Sequence, residues 1–109
     1  MFIIDNDTNT MTIVKKDTAS FDVALDNYTL ADGDRVIFTI AKEVEQETPI
    51  RQIVVEDFLE GVATIFITSE DSNIEEGKYL YDIQINTADG RVDTIVGPAK
   101  FVVKGGVTY

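Results

Sequence analysis

The sequence predicts one all-β domain of sandwich type, built from seven or eight strands. Three observations predict it. Apolar and polar residues alternate at period two through most of the chain, as they do in half-buried strands. β-branched and aromatic residues dominate the apolar set, and turn signals recur about every 8–12 residues. Helical spacing is nearly absent, which argues against a parallel sheet with crossover helices.

Met1-Phe2-Ile3-Ile4 offers an edge addition, and residues 11–14 form the first weak candidate strand. Residues 20–25 follow, with Phe21, Val23 and Leu25 on one face, then 34–42, with Val36, Phe38 and Ile40 on one face. Residues 50–56 are a weaker candidate. The segments 62–68 and 78–86 are clear, the first turning Ala63, Ile65 and Ile67 inward, the second Tyr79, Tyr81, Ile83 and Ile85. Two short strands, 92–96 and 99–104, close the chain.

The breaks carry turn chemistry, since Asp, Asn and Gly tolerate positive φ and bond their own backbone. Asp89-Gly90 is the strongest hairpin signal; Asp5-Asn6-Asp7-Thr8-Asn9, Ala31-Asp32-Gly33, Glu60-Gly61 and Glu75-Glu76-Gly77 are others. Residues 43–49 are polar and acidic and read as a long, mobile hairpin tip. Gly105-Gly106 reads as the start of a flexible C-terminal exit over residues 105–109.

A length of 109 residues fits a single domain over residues 1–109, because two halves would be too small to bury useful cores. Apolar residues make up 44%, so the chain is expected to fold unaided. It has no Cys, which excludes disulfides and thiolate metal sites. Twenty Asp and Glu against nine Lys and Arg give a net charge of −11, which repels nucleic-acid phosphates and anionic lipids. The basic residues are scattered and form no stripe. The N-terminus lacks a signal-peptide pattern, and no segment approaches the ~20 apolar residues of a membrane span, so a soluble protein made in the cytoplasm is expected.

With neither His nor Cys, the chain lacks the commonest general base and the best nucleophile. Ser20, Ser69 and Ser72 have no nucleophile-elbow setting. Carboxylate chemistry survives, with Glu56, Asp57, Glu60, Glu70, Asp71, Glu75 and Glu76 available for a glycosidase-like pair, although solvated loops of an acidic chain carry such residues anyway. Residues 5–9 imitate the opening of a calcium loop but place Thr10 where Gly is needed and Lys16 where Glu is needed. Asp32, Asp34, Asp71 and Asp89, in or beside turns, leave calcium shared between loops as a minor alternative. No catalytic, cofactor or metal residue is assigned. Ile37, Phe66 and Leu80 fall on the faces opposite the core and are the candidate subunit contacts.

One stretch carries a resemblance. Lys16-Asp17-Thr18 before Phe21, Tyr28-Thr29-Leu30 before Gly33-Asp34, Val36-Ile37-Phe38-Thr39-Ile40, Gly61-Val62-Ala63-Thr64-Ile65 and above all Gly77-Lys78-Tyr79-Leu80-Tyr81-Asp82-Ile83 occur in order. Asp93-Thr94-Ile95 and Phe101-Val102-Val103 follow them. From Asp17 to Val103 this order resembles the N-terminal β-sandwich domain of phage baseplate upper proteins. The resemblance implies an immunoglobulin-like antiparallel sandwich in the virion that docks to other tail or baseplate subunits, with homo-oligomers open. Members of that family usually continue into a fibre-forming region, whereas this sequence stops at Tyr109. Alternation alone also serves other Greek-key sandwiches. A bacterial surface or carbohydrate-binding sandwich is the alternative, weakened by the absence of Trp.

Overall fold

The computed structural model describes residues 1–44 and 48–106. Its strands in chain order are β1 (Phe2–Ile4), β2 (Met11–Val14), β3 (Ala19–Val23), β4 (Arg35–Ala41), β5 (Arg51–Val55), β6 (Ala63–Ile67), β7 (Gly77–Asn86) and β8 (Val92–Lys104). The described residues contain no helix. They build a six-stranded sheet in the order β1-β2-β8-β7-β4-β5 and a two-stranded sheet of β3 and β6. All neighbouring strands are antiparallel except β2 and β8, which run parallel with Met11 opposite Phe101 and Val14 opposite Lys104. The expected antiparallel sandwich therefore contains one parallel seam.

Period-two alternation places the core. On β7, Tyr79, Tyr81, Ile83 and Ile85 are buried, and on β6, Ala63, Ile65 and Ile67 are buried while Thr64 and Phe66 are not. The inward faces of both sheets join one cluster that includes Ile13, Val23, Val36, Phe38, Ile65 and Phe101. Phe38 is its hub. Its ring lies 5.5 Å from Phe21, 5.5 Å from Tyr81 and 6.1 Å from Phe101, in edge or tilted geometries. Those arrangements set the positive ring edge against the negative face, which favours them over flat stacking. Burying two tyrosines requires partners for their hydroxyls. Tyr79 donates to the Glu75 carbonyl and Tyr81 to the Asn9 carbonyl, which ties the β1–β2 turn to the middle of β7.

The two closing strands expected from the sequence are one. Gly97-Pro98 reads as a break, but β7 is long enough to pair on both sides of it, from Gly77 opposite Val103 to Asn86 opposite Val92. The register shifts near Tyr81 and Ile83, where β8 bulges through the cis Gly97–Pro98 bond. Gly97 has φ 108°, and a Cβ there would stand 2.7 Å from the Tyr81 carbonyl and 2.8 Å from the Asp82 Cβ. Only glycine lets the two backbones cross this closely.

β3 stops at Val23, short of the expected Leu25, because its partner begins at Ala63, directly opposite Val23. The edge addition is present as β1, paired with β2. Within the expected 43–49 hairpin tip, residues 45–47 lie outside the described residues; so do 107–109 of the expected exit.

Candidate functional site

The three candidate contact residues do not form one surface. Phe66 lies on the outer face of the smaller sheet, opposite Ser20, and is 54% exposed. Ile37 and Leu80 lie on the outer face of the larger sheet and are only half-buried, so they are less available than the sequence pattern implies. Ile37 faces Val54 on one side and Gln84 on the other, whereas Leu80 faces Ala41, four positions further along β4. At about 3.3 Å per residue these two positions are ~13 Å apart along the strand. The alternation that revealed the outward face carries no information about which sheet a strand joins.

Leu80 lines an open groove of about 320 Å³ together with Thr39, Gln52, Asp82 and Pro98. Glu43, Val44 and Pro49 bring the ends of the β4–β5 connection to it. Gln52 donates to the Thr39 hydroxyl at 3.2 Å, and Asp82 stands opposite Thr39 across the β4–β7 pair. Burial holds the Asp82 carboxyl above the usual aspartate range, because leaving water disfavours its charged form. The sequence places Asp82 outward, but the Gly97-Pro98 bulge that helps cover it has no sequence signature.

The carboxylates considered for catalysis or calcium have structural work in several cases. Asp34 is buried and accepts from the Tyr28 hydroxyl at 2.7 Å, the Ala31 amide at 3.0 Å and the Ala88 amide at 3.0 Å. These bonds, the one from Tyr28 foremost, pull its pKa below the ordinary value. Asp5 accepts from the Asp7 amide at 2.9 Å, and Asp71 exchanges bonds with Thr68 through the Thr68 amide at 2.9 Å and the Thr68 hydroxyl at 3.0 Å. Asp89 accepts from the Thr87 hydroxyl, which lowers its pKa. Among the described residues no three acidic side chains converge in a way that would hold a metal ion. Glu56 and Asp57 follow β5, Glu70 and Asp71 follow β6, and Glu75 and Glu76 precede β7, so the acidic residues are spread over separate connections.

Two further grooves lie on the side of the molecule between β3 and the first half of β8, with volumes of about 380 and 460 Å³. They meet at Leu25, Asp26 and Ile95, which line both. Comparison with family models, with curated proteins and with solved structures finds no match to this chain.

Proposed function

We propose that the protein is a non-catalytic docking module of immunoglobulin-like topology that assembles with neighbouring subunits of a phage tail or baseplate. The observation that carries the docking role is apolar surface on both outer faces. Phe66 projects from the smaller sheet, and Val54 beside Ile37 with Leu80 supply the larger one. Apolar residues outside the core are where subunit contacts find their desolvated centres.

The strand order supports the finer fold reading. A sheet that contains β8, β7 and β4 and a separate β3-β6 pair agree with the immunoglobulin-like division, in which C, F and G share one sheet and B and E belong to the other. The Tyr79 hydroxyl bonds back to the carbonyl four residues upstream, as the tyrosine at the corresponding strand start does in that fold. On that reading Tyr81, two residues on, corresponds to the cysteine of antibody domains, and its packing against Phe38 and Phe101 takes the place of the disulfide.

The phage setting rests on the ordered motifs around Gly77 to Ile83. Phe66→Asp and Leu80→Asp test the contact assignment. Both positions lie off the core, so each variant is expected to fold with a melting temperature near the parent's while its recovery in assembled particles falls at least about tenfold, roughly the loss of one contact worth 1.4 kcal/mol. Undiminished recovery of both variants would mean that these faces are not the contacts.

A further inference from the structure

The larger sheet has an edge that is only half covered. β2 pairs with β8 over residues 101–104, but along residues 92–96 the side of β8 away from β7 has no strand beside it among the described residues. Alternate N–H and C=O groups of such an edge point outward and can template a further strand. The two side grooves run along this same stretch. Their floor is core, with Tyr81 and Ile83 under one and Ile85 under the other, and Ile95 lies between them. Phe21 and Val23 of β3 form part of the far wall, and among the described residues β3 pairs only with β6. An unpaired strand edge, an apolar trough and a facing wall thus lie side by side over five residues, about 17 Å of extended chain.

Charge selects the occupant. Asp26 and Asp93 line the trough, whereas the Asp22 carboxylate lies on the outer face of the smaller sheet, bonded to Thr64. Arg91 also lines it, but its guanidinium is held 3.0 Å from Asp93. With a net charge of −11, a second copy would meet like charge at this edge, whereas a cationic segment would be drawn to it. We infer that this trough receives an extended, Lys- or Arg-bearing segment of a partner protein, which adds as a strand along residues 92–96 of β8. Its alternate side chains fill the trough between β8 and β3, and its basic residues face Asp26 and the exposed Arg91–Asp93 pair, in exchange with Arg91. Main-chain bonds supply attachment and the trough supplies selectivity. The inference deepens the docking role proposed above and rests on it.

Amide hydrogen exchange of the whole chain tests it, with two short synthetic peptides as probes, one alternating lysine with valine and the other glutamate with valine. The lysine peptide is expected to protect amides within 92–96, to bind at least about tenfold tighter than the glutamate peptide at low salt, and to lose that margin as salt screens the rim. Asp26→Lys combined with Asp93→Asn, with folding checked by melting, is expected to abolish the preference. Equal binding of both peptides, no binding of either, protection confined to β1 or β5, or self-association that protects 92–96 would each overturn the assignment. None of those results bears on whether the chain is incorporated into particles, so a failure here and a failure of the docking role are read separately.

Discussion

Phe38 has no exposed surface and touches three other rings, so its removal leaves a void that the surrounding strands cannot close. Phe38→Ala is expected to destabilise the domain by about 3–5 kcal/mol in chemical denaturation. Asp34 acts differently, because one carboxylate joins the Tyr28–Ala31 segment, the start of β4 and the β7–β8 turn at Ala88. Its folded pKa lies below its unfolded value of about 3.9, so its contribution is present above that value and is lost as pH falls through the folded one. Asp34→Asn is expected to lower the melting temperature at neutral pH and to flatten the acid limb of a melting-temperature profile below about pH 4. An unchanged acid limb would show that other carboxylates control it. Neighbouring Gly33 shows how tight this node is: at φ 93°, a Cβ would stand 2.8 Å from the Ala88 Cβ.

At the scale of elements, period-two alternation identified the inward residues of β4, β6 and β7 because it reports directly which face each side chain occupies. Pairing is another matter. Nothing in 92–104 announces that Gly97-Pro98 is a bulge inside one strand, because that depends on the length of β7 across from it. For the same reason the sequence grouped Ile37, Phe66 and Leu80 as outward residues but could not assign Phe66 to a different sheet from the other two. The side trough was also hidden, since it arises from where β2 and β3 end. Gly97→Ala tests the bulge directly: positive φ and the crossing of Tyr81 and Asp82 predict a loss of about 1–3 kcal/mol. A neutral result would mean that β8 bends elsewhere.

For the whole molecule, charge and shape bear on the same role. Self-repulsion from a net charge of −11 opposes compaction, so moderate salt is expected to raise the melting temperature, read as a scan at two ionic strengths. The same field disfavours pairing between copies and favours cationic partners, while apolar residues on both outer faces, and a strand edge with no strand beside it among the described residues, are the places the proposed docking would use. In the proposed docking role the domain holds neighbours together through surface complementarity, with its core serving to fix where those surfaces lie. The measurement closest to that claim is the protein composition of phage particles purified from the source strain after prophage induction, with known tail subunits as the positive control. The proposed docking role predicts this chain at stoichiometric levels beside them. Its absence from particles that contain the tail subunits would contradict the claim.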